Sequence, residues 1–363
     1  MDKFLEKRYA LLGKTAEKSG EFTSRLRSFL KNPINHFILF LFIAWTVGDL
    51  AITKVLPYSF ASAFAITFAY SIAAVGFCLL MGYSGLASLG TGGFIGIGTY
   101  AVYYIMNESG MRFWVAIIVA LLVAALIGVI VGFISLRIEG IYLVILTLGL
   151  SEILRNLYMV VEDRIKLGNF DILNGIEIKR QYAIFIVSVV LVIVMIITHN
   201  IINSPTGRAM LAMKNSTAAA QAMGISLLKY RLMAFVICTM YAALSGVMLM
   251  ITVRSAMASD GAGFYALITS LNILAAVIIG GYKSIWGALF GTFVMYGMQT
   301  VVFNNIPFLA ENPVIITFVS GILVIVVVMF YPGGLAQLFL ELRGKAKILR
   351  TKIREARYGK DLG

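Results

Sequence analysis

Ten apolar runs of about twenty residues each dominate this chain, at approximately residues 35–55, 59–81, 92–107, 113–136, 140–160, 182–203, 231–252, 264–281, 284–303 and 313–331. A helix rising about 1.5 Å per residue needs about 20 residues to cross a hydrocarbon core roughly 30 Å thick. In lipid an unpaired backbone group costs several kcal/mol, so such runs must close their hydrogen bonds internally, as helices. β-Branched stretches such as Val324–Val328 do not change that. The predicted fold class is therefore an all-α polytopic membrane protein with about ten transmembrane helices. Composition agrees: 60% hydrophobic and 13% charged residues stand against roughly 45–50% and about 25% in soluble domains. A soluble enzyme is excluded, and so is a disordered chain, which is poor in apolar residues.

The formal charge is +13. In a water-soluble protein that excess would suggest a nucleic-acid partner, but here the charges are sorted along the chain and no nucleic acid is expected. With the residues before the first run placed inside, 22 of the 30 basic residues fall in inner loops and tails, as the positive-inside rule requires for an even number of spans. The chain divides into a basic cytoplasmic tail at 1–34, a transmembrane domain at 35–333 and a second basic cytoplasmic tail at 334–363. Both termini are expected in the cytoplasm, and membrane lipid surrounds the rest. Cys78 and Cys238 lie inside apolar runs, as packing residues do, and no disulfide framework, metal site or cofactor is predicted.

No G-x-x-x-x-G-K-[ST] loop is present, and Gly280-Gly281-Tyr282-Lys283-Ser284 is too short to wrap phosphates. The chain is not expected to hydrolyse ATP by that route, and no catalytic acid, base or nucleophile constellation is recognisable. Between Gly82 and Gly98, seven of seventeen residues are glycine, among them Gly82, Gly85, Gly90, Gly92 and Gly93, interleaved with the hydroxyls of Ser84, Ser88 and Thr91. Such a density either lets helices approach closely or breaks a helix beside a translocation path. Gly281, Gly287 and Gly291 form a related string, with Gly287 and Gly291 at the small-x-x-x-small spacing of Gly92 and Gly96. Thr147, Ser151 and Asn272 are candidate polar groups for the path, or else ordinary interhelical hydrogen-bonding groups. Glu152 and Arg155, three residues apart inside the fifth run, share a helix face and can form an intramembrane ion pair.

The segment from about 204 to 230 is too long for a tight connection and too polar to span. It reads as an Ala/Met-rich helix from about Arg208, a capping point near Asn215–Ser216, a second short helix, and a stop at Gly224. Exposed Ala and Met faces on a helix parallel to the membrane suit the groove of a soluble partner. A plain connector covering the bundle is the alternative.

Taken in order, several motifs resemble the permeases of branched-chain amino acid ABC importers, most closely the LivM type. They are Gly82–Gly98; Leu136–Tyr142 followed by Thr147–Arg155; Ser204–Arg208 through Ala222-Met223-Gly224-Ile225 to Tyr230; Gly280–Gly291; and Tyr331–Leu335. The resemblance covers roughly residues 55–336. It implies a ten-helix architecture similar to type II ABC importers. Arg208, Gln221, Ala222, Met223, Gly224 and Ile225 would lie in a coupling loop contacting separate ABC ATPase subunits, although family members often carry Glu where this chain has Gln221. Further implied partners are a second related permease, in a heterodimer or a homodimer, and a periplasmic or lipid-anchored binding protein. The implied place is the bacterial cytoplasmic membrane, and the implied cargo is branched-chain or related amino acids. Urea and nucleosides are alternative substrates, and an ion-coupled secondary transporter is the alternative mechanism.

Overall fold

The computed structural model describes residues 33–53, 57–135, 140–167, 171–173, 176–177, 182–260, 263–301 and scattered positions between 315 and 341. Almost all of both basic tails, together with Lys54, Arg137, Lys179 and Arg180, lies outside the described residues. The protein is an all-α polytopic membrane protein. Six described helices are long and apolar enough to cross a membrane. Among the helices are α1 (Pro33–Ile52), α2 (Tyr58–Leu79), α3 (Thr91–Val102), α4 (Phe113–Ser135), α5 (Ile141–Glu162) and α6 (Ala183–Asn203). Two short helices follow, α7 (Pro205–Asn215) and α8 (Thr217–Ala222), and then α9 (Leu227–Val253), α10 (Leu267–Gly280), α11 (Ile285–Thr292) and α12 (Met298–Val301).

The central pair is α2 and α9. Every residue from Thr67 to Leu80 and from Tyr241 to Thr252 is buried, so these helices are apolar on all sides, as fully enclosed helices are. The peripheral α4 turns the soluble rule inside out. Its inward stripe is Ala116, Ala120, Ala124, Gly128, Gly132 and Ser135, while Trp114, Ile118, Leu122, Leu126, Ile130 and Phe133 face outward. Lipid tails are as apolar as leucine, so helices associate in lipid through close backbone approach between small residues. Accordingly, a Cβ added at Gly128 would overlap the Thr239 hydroxyl of α9, and one at Gly98 of α3 would overlap the Ala243 carbonyl oxygen of α9.

Three of the ten apolar runs give less than a full span of α-helix: α3 has 12 residues, α10 has 14 and α11 has 8. The glycine strings interrupt them, and π-helical turns extend them or precede them: π1 (Leu80–Ser84) after α2, π2 (Tyr103–Glu108) after α3 and π3 (Phe293–Gly297) after α11. π-Turns of this kind recur at functional sites. The last run is described only in part. Among its described helical positions, Phe318, Ile322, Ile325, Val326 and Met329 are exposed.

Among the described residues, four short strands interrupt the helices. β1 (Arg164–Lys166) pairs antiparallel with β4 (Ser255–Met257), while β2 (Asp171–Leu173) pairs with β3 (Ile176–Glu177). The Asp163 carboxylate accepts from the Ser259 amide at 2.7 Å and from its hydroxyl at 2.8 Å, which clasps the end of α5 to the segment that follows β4. This clasp marks one end of the bundle. The segment carrying α7 and α8, and both glycine breaks, lie at the other.

Candidate functional site: the loop helices and the two glycine breaks

At the loop end, α7 begins three residues before the sequence expectation. Ser204 caps it by accepting from the Gly207 amide at 3.4 Å, and Pro205 occupies the first turn, where a missing N–H costs nothing. Ser216 ends α7 and caps α8, accepting from the Ala219 amide at 3.3 Å. The end of α8 is closed by two bonds, Gly224 N–H to the Gln221 carbonyl (2.9 Å) and Ile225 N–H to the Ala220 carbonyl (3.0 Å). These are the paired bonds of a Schellman motif, which needs a left-handed residue between them. Gly224 supplies it, with φ +78°.

This construction fixes what is presented outward. Met210, Met213 and Ala220 are buried and hold the two helices on the bundle, whereas Gln221, Ala222, Met223 and Gly224 are exposed, Met223 by 80%. Beside that tip, Gln221, Gly224, Ile225, Ser226, Leu228 and Arg231 help to line an open cavity of about 540 Å³. Arg208 is exposed on the first turn of α7, where its Nη1 donates to the Asn203 carbonyl at 3.1 Å.

The first glycine string proves to be both a break and a packing surface. α2 runs into π1, Gly85 turns left-handed at φ +76°, and helix resumes only at Thr91. The amides at this buried helix start find hydroxyl acceptors, mostly on other helices. Leu89 N–H bonds Thr147 Oγ1 at 3.0 Å, Gly92 N–H bonds Ser270 Oγ at 2.8 Å and Gly93 N–H bonds Ser151 Oγ at 2.9 Å, while Gly90 N–H bonds the nearby Ser88 Oγ at 3.2 Å. Thr147 and Ser151 thus serve as caps for α3, supplied from α5. Replacing Ser151 with alanine leaves the Gly93 amide buried and unpaired. We expect a loss of about 1–2 kcal/mol, seen as a lower melting midpoint in detergent, with Ser151→Thr retaining most of the stability.

The second break lies between α10 and α11. Gly281 adopts φ +105°, and Ser284 caps α11 by accepting from the Gly287 amide at 3.0 Å. The two breaks touch. Cys78 Sγ–H donates to the Tyr282 carbonyl at 3.1 Å, Tyr83 O–H donates to the Lys283 carbonyl at 3.2 Å, and a Cβ at Gly82 would overlap the Tyr282 carbonyl oxygen. Asn272 is half-buried on α10, one turn after Thr269, whose carbonyl accepts from the Tyr296 hydroxyl at 3.4 Å. Glu152 and Arg155 form the ion pair their spacing predicts, at 3.2 Å and partly exposed, flanking the face of α5 that packs on α3.

A tyrosine cluster around α3 escaped the sequence reading. Tyr158 stacks on Tyr100 with ring centroids 4.6 Å apart and donates to the Gly93 carbonyl at 2.8 Å, and Gly96 leaves the room its ring fills. Tyr265 hydrogen-bonds Thr99 at 2.9 Å. A signal was present: Tyr158 continues the helical stripe of Thr147, Ser151 and Leu154. Ser270 offered no comparable pattern.

Comparison with known proteins gives this architecture a family. The profile of the "Branched-chain amino acid transport system / permease component" matches residues 59–328. The High-affinity branched-chain amino acid transport system permease protein LivM of Escherichia coli K12 is 28% identical over 250 residues, 60% of this chain and 58% of its own length. The protein of the same name from Salmonella typhimurium is 28% identical over 249 residues, again 60% of this chain and 57% of its own length. The chain therefore spans a little under three-fifths of these relatives. Among solved structures, a chain of PsaBC from Streptococcus pneumoniae in complex with Fab aligns with TM-score 0.43 and 17% identity over 82% of this chain and 99% of that one, too loosely to carry an argument. With the profile covering both glycine breaks, the loop helices and the helices around them, this chain belongs to the branched-chain amino acid transport system permease family.

Proposed function

We propose that this chain is a permease subunit of an ATP-binding cassette importer in the bacterial cytoplasmic membrane, moving branched-chain or related amino acids by alternating access. The observation that carries the reading is the tip at Gln221–Gly224. It is exposed, held by two capped helices and a left-handed glycine, and placed at the same end of the bundle as both helix breaks. A soluble ATPase subunit docking there finds exposed Ala222 and Met223 and the adjoining cavity, a surface suited to a helix-in-groove contact.

Energy for transport then comes from the partner. Closure of two ATPase subunits moves α7 and α8, and the breaks at Gly82–Gly90 and Gly281–Ser284 yield where a continuous helix would resist. A second, related permease completes the path, and a periplasmic or lipid-anchored protein delivers the cargo. On this reading both termini are cytoplasmic, on the ATPase side of the membrane. The relatives whose names specify branched-chain amino acids support that substrate class. The test of the class is mass spectrometry of the ligand retained by the cognate binding protein. Leucine, isoleucine or valine is expected, and urea or a nucleoside there would overturn it.

A further inference from the structure

Three pieces of chain meet at one point beneath the loop helices, and a single side chain touches all of them. Lys214 lies in the last turn of α7. Its Nζ donates to the Met81 carbonyl at 3.0 Å and to the Gly82 carbonyl at 2.9 Å, at the first break. The same ammonium sits 4.5 Å from the centroid of the Tyr282 ring, at the second break. Its aliphatic stem covers the left-handed Gly85, where an added Cβ would stand 3.2 Å from Lys214 Cγ.

The chemistry of the contact is specific. Carbonyls at a helix C-terminus lack intrahelical donors and carry partial negative charge, so a cation aimed at them makes charge-assisted bonds. A compact ammonium with rotatable donors can serve two carbonyls and lie over a ring together. Holding the charge here has a cost: partial burial, and then the neighbouring Lys283, lower the Lys214 pKa. The remaining anchors of α7, Met210 and Met213, are buried thioethers whose contacts are apolar and non-directional. Those can slide. Two hydrogen bonds to the backbone of π1 set a register and carry a pull.

Resting on the reading of 204–230 as the ATPase-docking segment, we propose that Lys214 transmits movement of the loop helices to both glycine breaks. The tip on α8 and the ammonium on α7 are joined through Ser216, the last residue of neither helix and the cap of both. Displacement of the tip therefore turns α7, and α7 pulls on Met81 and Gly82. The second break follows, because Cys78 and Tyr83 tie it to the first.

The experiment uses the complete reconstituted complex, with ATP hydrolysis and amino acid uptake measured on the same vesicles. A wild-type complex that hydrolyses no ATP, or takes up substrate without it, overturns the importer reading before any variant is made. Given a wild type that couples the two, Lys214→Met keeps the length of the side chain and removes the ammonium. It is expected to assemble with its partners and hydrolyse ATP at the wild-type basal rate, while transport per ATP falls about tenfold, within the usual range of coupling between sites. Lys214→Arg, which can also reach two carbonyls, is expected to recover most of the loss. Unchanged transport per ATP in Lys214→Met overturns the proposal. Loss of assembly, or a deficit that Lys214→Arg fails to reverse, overturns it equally, since either outcome would make the side chain a structural brace.

Discussion

Replacing Gly98 with alanine should destabilise the protein by about 3 kcal/mol, whereas the identical change at Gly149 should leave it unchanged or stabilise it by up to about 1 kcal/mol. Both glycines sit within helices, so intrinsic propensity favours alanine at each. The difference lies in what the methyl group meets. At Gly98 it would overlap the Ala243 carbonyl oxygen and stand 2.9 Å from the Val247 amide nitrogen, and the reciprocal position, Gly246, abuts the Ile95 carbonyl in the same way. Those obstructing atoms are backbone and cannot rotate aside, so α3 and α9 must separate along their length. Nothing lies within 4 Å of a Cβ at Gly149. Thermal unfolding of the two purified variants in detergent reads the contrast directly, and equal midpoints would mean that α3 and α9 do not cross where the structure places them.

Replacing Gly224 with valine should act on coupling and spare stability. A Cβ at this position meets nothing within 4 Å, so no clash arises. The cost is conformational: at φ +78° a non-glycine residue pays roughly 1–2 kcal/mol, and a β-branched one is a still poorer fit. That is enough to open a six-residue helix end held by two hydrogen bonds. The rebuilt tip would present Gln221, Ala222 and Met223 differently to a docked partner. Uptake is expected to fall at least tenfold while ATP hydrolysis by the complex persists, since the proposed reading puts hydrolysis in a separate subunit. Gly224→Asn, which tolerates the left-handed region, is expected to keep much of the uptake. Normal uptake in Gly224→Val would remove the docking role from this tip.

Local features of this protein could be read from sequence, and pairings between distant segments could not. The apolar runs, the two short helices after Ser204, the cap at Ser216 and the stop at Gly224 all follow from nearest-neighbour chemistry. Even the early start of α7 was written in Ser204-Pro205. The first glycine string left a helix break and a close packing surface as alternatives, and the structure contains both. Its partners were not legible, because a hydroxyl at Ser270 capping an amide at Gly92 is a contact 178 residues long in sequence. The β1–β4 clasp is similar, joining loops that sequence presents as unrelated polar linkers. Thr147 and Ser151 were visible as polar residues in an apolar helix, but only the structure shows which amides they serve. The π-turns left no trace in composition, since they arise where packing forces an extra residue into a turn. Lys214 looked like one more basic residue of an inner loop, and its significance depends on the carbonyls of Met81 and Gly82 more than 130 positions earlier.

The central claim is that a separate ATPase drives this permease through the 204–230 loop, and reconstituted uptake tests it most directly. The full complex is placed in liposomes with ATP on the ATPase side and the loaded binding protein on the other. Substrate should accumulate against its gradient, stop when the ATPase carries a hydrolysis-dead substitution, and continue when ionophores collapse all ion gradients. Accumulation that survives the dead ATPase, or that needs an ion gradient and no nucleotide, would contradict the account.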